Sequence, residues 1–411
     1  MKHIFLLLFN FFLILNIFSQ GIRFDQERYS ESEQWENEDL GFSGTLPKNY
    51  SMRKFCPPVL SQDGLTCVGW ASAYGTMSIL YNKMFELTSS NEKFLYSFDP
   101  NFIYSLIAEN KENDCLSGTS LNDAMKTLMN FGCKKMLLPE KTNCDTKINE
   151  TSKAYAKPYI IKIACVPPDS WFSDNEAGKI KTIKEAIADN IPLVIGLKTT
   201  SSLKEVNESG LWDPSSNDNL NGGHAMCIVG YDDTKFGGAF ELMNSWGGSY
   251  GDNGFNWIKY DDILRHAAEI YLIIPYPLKK SINSAYTCYY GDCENGYGHR
   301  KNSDGSRIEG KFTNGKINGY GLKHYKNGAS YTGTWKNGIE DGSGFYFNPH
   351  ERKWFKAQFS NGKLIDESAL GFTETKPTEN ELKMDDLIET YKSLGIIEIG
   401  DSEDLELLEN N

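Results

Sequence analysis

Ser61-Gln62-Asp63-Gly64-Leu65-Thr66-Cys67-Val68-Gly69-Trp70-Ala71-Ser72 places a thiol at the head of a stretch in which apolar and small residues recur at helical spacing to about Lys83. A helix N-terminus offers unpaired N–H groups and a partial positive charge, and both favour a thiolate over a thiol. Cysteine attacks as the thiolate, so this is a chemically favoured position for a nucleophile. The amide of Gln62 and the backbone N–H of Cys67 make a candidate pair of donors for an oxyanion. Taken alone, a buried or disulfide-bonded cysteine is the plainer reading of Cys67.

Two later segments change that balance. Asn221-Gly222-Gly223-His224 opens an apolar run to Tyr231, and Gly223 lets the backbone pass close to a neighbour or a substrate. Of the six histidines, His3 lies in the N-terminal stretch ahead of an apolar run, and His266, His299, His324 and His350 stand in polar or repeat contexts. Glu241-Leu242-Met243-Asn244-Ser245-Trp246-Gly247-Gly248 then ends a strand-like run. Asn244 can accept from an imidazole N–H and fix the ring's tautomer, and Trp246 can shield that bond from water.

In order and local wording the three segments resemble the papain-like cysteine peptidases, over roughly Leu46–Pro277. The resemblance implies a Cys67/His224/Asn244 triad with Gln62 in the oxyanion hole. It implies two lobes, one helical and one β-barrel-like, with the site between them. The implied reaction is attack of a Cys67 thiolate, paired with a His224 imidazolium, on a peptide carbonyl. Three departures accompany it. Val68 and Gly69 separate Cys67 from Trp70, where the family has Cys-Trp, as in a divergent, bacterial-type branch. Gln62 precedes Cys67 by five residues instead of six. Residues 21–45 are too few for a long inhibitory propeptide, so zymogen control of the usual kind is not expected.

Further helical patterns cover Asp99–Glu109, Ser120–Phe131 and Lys179–Asp189, with Asp99 and Ser120 as caps. Tyr159–Cys165, Pro192–Leu197, His224–Tyr231, Ala239–Asn244, Phe255–Lys259 and Ile270–Ile274 read as strands. Helices first and strands second give an α+β class. From Cys288 a repeat sets in: Gly296, Gly319 and Gly342 are 23 residues apart, as are Gly298, Gly321 and Gly344. Asn314-Gly315 and Asn337-Gly338 are hairpin-turn signals, so the region reads as stacked β-hairpins. Tyr331-Thr332-Gly333-Thr334-Trp335-Lys336-Asn337-Gly338 resembles MORN repeats, about three of them between Tyr290 and Lys363, with Phe355–Gly362 as a final partial unit.

The expected organisation is a signal peptide at 1–20, an extended lead-in at 21–45, the peptidase domain at 46–278, repeats at 285–365 and a partly disordered acidic tail at 366–411. The signal rests on a basic start followed by an apolar run from Ile4 to Phe18, and it predicts a secreted or periplasmic protein. Of the net charge of −13, the tail alone contributes −11, whereas residues 284–363 carry +5. That mild positive field suits a protein partner or an anionic membrane surface, and nothing points to nucleic acid. Nine cysteines leave at least one unpaired within the chain, and export would allow the rest to form bridges that sequence cannot pair. Cys227, in an apolar run, reads as a buried thiol. No cysteine–histidine spacing suggests a metal, and no cofactor is expected. The remaining readings are a catalytically silent fold used for binding and a related thiol acyl transferase.

Overall fold

The computed structural model describes residues 21–32, 45–87, 90–108, 115–136, 144, 146–148, 150–156, 159, 162–165, 176–214, 219–220, 222–274, 281–282, 284–348 and 353–369. The expected signal at 1–20 and the acidic stretch from 370 lie outside the described residues.

The N-terminal unit is α+β. Its helices include Pro100–Ile107, Leu121–Phe131 and Glu176–Ala188. Asp99 and Ser120 cap the first two as their side chains suggest, accepting from Asn101 and Phe102 N–H and from Asp123 N–H. The strands are β1 Asn49–Ser51, β2 Lys162–Cys165, β3 Leu193–Thr199, β4 Leu211–Trp212, β5 Gly222–Asp232, β6 Ala239–Met243, β7 Phe255–Lys259 and β8 Ala267–Ile274. They form one sheet in the order β2-β8-β3-β5-β6-β7-β4, with β1 added to β5. All pairs are antiparallel except β4 with β7. The helix Tyr260–His266 falls between two strands and carries no capping side chain, which is why the pattern does not announce it.

The helix that starts at Cys67 is irregular. Cys67–Gly69 is α-helical, Trp70–Met77 is π-helical and Ser78–Met84 is α-helical again. A side chain inserted into the hydrogen-bond ladder is a known cause of such a widened turn. Here it is Cys227 on β5, whose thiol donates to Ala71 O at 2.9 Å and lies 3.1 Å from Thr76 Oγ1. Cys227 is therefore the buried thiol expected of it, and it wedges the helix.

The lead-in is not extended throughout. Gln26–Ser30 is a helix capped by Asp25, and Tyr29 is buried, its hydroxyl bonding both ways with the Ile270 backbone. Sequence periodicity cannot register one turn anchored by a single tyrosine.

The C-terminal unit is a nine-stranded antiparallel meander, with strands β9 to β17 in chain order. It runs from Ser281–Ile282 (β9) and Tyr286–Gly291 (β10) through Tyr297–Asn302 (β11), Arg307–Thr313 (β12), Lys316–His324 (β13), Ser330–Lys336 (β14) and Ile339–Asn348 (β15) to Lys353–Ser360 (β16) and Lys363–Ala369 (β17). The sheet thus passes the expected boundary at 365, because β17 continues pairing with β16 as far as Ala369. Asn314-Gly315, Asn337-Gly338 and Asn361-Gly362 all take positive φ, between 49° and 87°, as a two-residue hairpin turn requires. The repeat glycines pair across strands, Gly310 with Gly321 and Gly333 with Gly344. Their missing side chains leave room for Ile317 and Tyr331 to lie across the sheet. Two bridges, Cys115–Cys144 and Cys288–Cys293, resolve part of the cysteine set.

The two units meet at a buried cluster. Glu309 on β12 accepts hydrogen bonds from Tyr81 and Tyr159 of the N-terminal unit, one on each carboxylate oxygen. Lys135 stands 3.0 Å above the Tyr81 ring centroid and donates to Tyr96 O at 3.0 Å. His324 packs edge-on against Tyr96, and Phe85 stacks on His299 and packs against Tyr289.

Candidate active site

β5 begins at Gly222, so His224 stands near the start of the strand, paired there with Leu197 of β3, while β6 joins β5 from Cys227 onward. Asn244 follows the end of β6, its N–H tied to Gly254 O at 3.0 Å. His224 Nε2 and Asn244 Oδ1 are 2.7 Å apart, and Asn244 Oδ1 also accepts from Ser245 N–H at 2.7 Å. Donation by Nε2–H leaves Nδ1 as the free base of the imidazole. Trp246 stacks on the His224 ring with centroids 4.5 Å apart, and Tyr250 packs edge-on against Trp246.

Gln62, Cys67, Gly223, His224 and Trp246 line one cavity of about 210 Å³, together with Thr199–Ser201 and Lys204. The sequence-derived residues are thus brought together, with Asn244 behind the imidazole. Gln62 is held from three directions: its N–H donates to Ser245 O, its Oε1 accepts from Ser245 Oγ at 2.7 Å, and its Nε2 donates to Gly64 O at 2.8 Å. Ser245, between Asn244 and Trp246, was visible in the sequence but carried no chemistry of its own there. Its role is to orient Gln62.

The N-terminal segment enters this cavity. Gly21 is one of its lining residues, and a methyl group at Gly21 would come within 2.7 Å of Cys67 Sγ. Ile22 is fully buried; side chains at Gly196 or Gly223 would approach it to 2.7 and 2.6 Å. The segment is fastened by Thr119 N–H to Gly21 O, by Arg23 N–H to Thr119 O, and by Asp25 N–H to Glu269 Oε1 at 2.8 Å. The residues expected as a lead-in therefore cover the thiol, and a short segment suffices because Ile22 fills a ready hydrophobic recess.

Burial dominates the electrostatics of the site. Cys67 is 0% exposed, and burial pushes its thiol up to about 12 against the pull of the Ala225, Val68 and Cys67 backbone N–H groups. Burial likewise brings the His224 imidazole down to about 4; the Asn244 hydrogen bond opposes the fall and the Lys204 charge adds to it. Taken one group at a time, both shifts favour the uncharged form, a thiol at Cys67 and a neutral imidazole at His224.

Comparison with known proteins finds matches over parts of the chain. Residues 105–271, which include His224 and Asn244, match the family model described as papain family cysteine protease. Residues 309–330 and 331–349 match the MORN repeat. These parts of the chain thus have a papain-like fold followed by a MORN array. An uncharacterised peptidase C1-like protein of Acanthamoeba polyphaga mimivirus is 34% identical over 80 residues, 19% of this chain and 25% of that protein. Cathepsin S of Bos taurus is 32% identical over 79 residues, 19% of this chain and 23% of that protein. The chain therefore aligns with about a quarter of the length of these relatives. Among solved structures, xylellain, a cysteine protease from Xylella fastidiosa, aligns with a TM-score of 0.48 at 21% identity, covering 62% of this chain and 96% of that one. Procathepsin B S9 from Trypanosoma congolense gives 0.47 at 13%, covering 62% and 85%.

Proposed function

We propose that this chain is a thiol peptidase that hydrolyses peptide bonds through Cys67, His224 and Asn244, with Gln62 and the Cys67 N–H receiving the oxyanion. The observation that carries the reading is the 2.7 Å contact of His224 Nε2 with Asn244 Oδ1 beside the cavity that holds Cys67 and Gln62. Asn244 fixes the tautomer, and His224 Nδ1 takes the thiol proton once water or substrate reaches the site. The thiolate then adds to the carbonyl, His224 returns the proton to the leaving amine, and water releases the acyl group. In the covered geometry none of this proceeds, so activity begins with displacement of Gly21 and Ile22. The reading includes export, in keeping with the two disulfides, and peptides or proteins as substrates.

The test uses the chain with and without Cys67→Ala, under mild reductant, against an epoxide-type thiol inactivator and a mixed peptide library. Labelling and cleavage are expected, and both are expected to vanish in Cys67→Ala. A folded protein showing neither, with Ile22→Asp in place to open the cover as well as without it, would sink the reading in favour of a silent fold. Labelling without cleavage would move it to acyl transfer.

A further inference from the structure

Glu309 sits in the repeat array yet spends both carboxylate oxygens on the protease fold. Its neighbours in the repeat pattern do not: the position 23 residues on, in the same register, is Thr332. The unit spelled Arg307-Ile308-Glu309-Gly310 becomes Ser330-Tyr331-Thr332-Gly333 in the next, so the hairpin itself has no need of a carboxylate. Glu309 is 1% exposed, and an ionised carboxylate at that depth persists only where donors meet it.

One of those donors is on the helix that carries Cys67. Tyr81 lies in its last segment, Ser78–Met84, and the π-helical segment Trp70–Met77 lies between Tyr81 and Cys67. A π-turn holds one more residue than an α-turn, so relaxing it to α would rotate one end of the helix against the other by about 100°. Two things oppose that slip. Cys227 wedges the middle, and Glu309, with Lys135 on the Tyr81 ring, grips the far end.

We propose that Glu309 is a positioning residue: through Tyr81 it holds the Cys67 helix in its π register, and so sets where the Cys67 thiol stands relative to His224. The array is then a clamp on the protease unit rather than a tether. This rests on the reading of Cys67 as nucleophile.

The test compares the full chain with Glu309→Gln, Glu309→Asp, Tyr81→Phe and Tyr159→Phe. The readouts are kcat and KM on a cleaved peptide, the rate of Cys67 labelling, thermal melting, and hydrogen exchange of amides 70–77. Glu309→Gln and Tyr81→Phe are expected to lower kcat and labelling about tenfold with KM within about twofold, and to speed exchange across 70–77. The pair combined should lose no more than either alone. Tyr159→Phe, off that helix, should lower melting but leave kcat, and Glu309→Asp should recover part of the loss. If Glu309→Gln does not fold, Tyr81→Phe, which keeps the packing, carries the test. Lower melting with unchanged kcat and unchanged exchange would overturn the proposal. Faster exchange in a chain inactive in every form would sink the nucleophile reading and the positioning role with it, leaving only a structural clamp.

Discussion

Two glutamates on neighbouring units, Glu309 and Glu269, are equally hidden from water and differ in every other respect. Glu309 has both oxygens engaged by tyrosines and faces Lys135, His299 and His324; burial alone would raise its carboxyl, but these partners outweigh it and hold it at about 2. Glu269 is 0% exposed, receives one N–H from Asp25 and leaves Oε2 with no partner. Burial pushes it up to about 7, helped by the charges of Asp25 and Asp123 and opposed by the Asp25 N–H bond. The first lies in a junction made by two packed units. The second lies under a short segment that covers the cleft. The carboxylate is fully satisfied at the junction of the two units and half satisfied beneath the covering segment.

The largest effect expected is at the junction. Glu309→Ala strands Lys135 and two tyrosine hydroxyls, and should cost about 3–5 kcal/mol in denaturant unfolding. A cost under 1 kcal/mol would make the junction as loose as the cleft and break the contrast. Next comes the cover itself. Ile22→Asp forfeits about 1.5–3 kcal/mol of aliphatic burial, so the labelling rate of Cys67 should rise by up to about 10²-fold with little change in melting. An unchanged rate would show the segment to be as fixed as the junction.

The smallest effect is in pH. Seating the segment raises the Glu269 carboxyl from its ordinary 4.5 to about 7, so the seated form binds a proton the open form does not. The cover is therefore tightest below about pH 4.5 and weakens as pH rises to about 7. Asp25, Asp123, Tyr271 and the Arg28 pairs with Asp25 and Asp123 face the same region. Labelling of Cys67 should accelerate several-fold across that window beyond the thiol's own titration. Glu269→Gln should remove the excess, and an unaltered profile in that variant would assign the pH dependence elsewhere.

What the sequence disclosed follows the range of the interactions. That Cys67, His224 and Asn244 belong together was legible only from their three stretches jointly, which resemble one family in order and wording; singly, each has a plain structural explanation. The Asn-Gly turns were legible because the demand for positive φ is made by two adjacent residues. The π-helical segment was not, since eight residues cannot separate one helical period from another. Nor was the cover: Ile22 is an ordinary aliphatic residue in a polar stretch, and only the space left by Gly196 and Gly223, far along the chain, gives it a place. Glu309 left one trace, its departure from Thr332 within an otherwise regular repeat.

That departure also bears on how the molecule can change over evolutionary time. The contacts with the N-terminal unit named above come from β10 to β13, and β14 to β17 continue the sheet beyond them in chain order. Units in such an array depend on their immediate neighbours. A change of length at the far end by a whole 23-residue step would leave the named contacts with the N-terminal unit in place. The unit bearing Glu309 is the one whose duplication or loss the rest of the protein would notice.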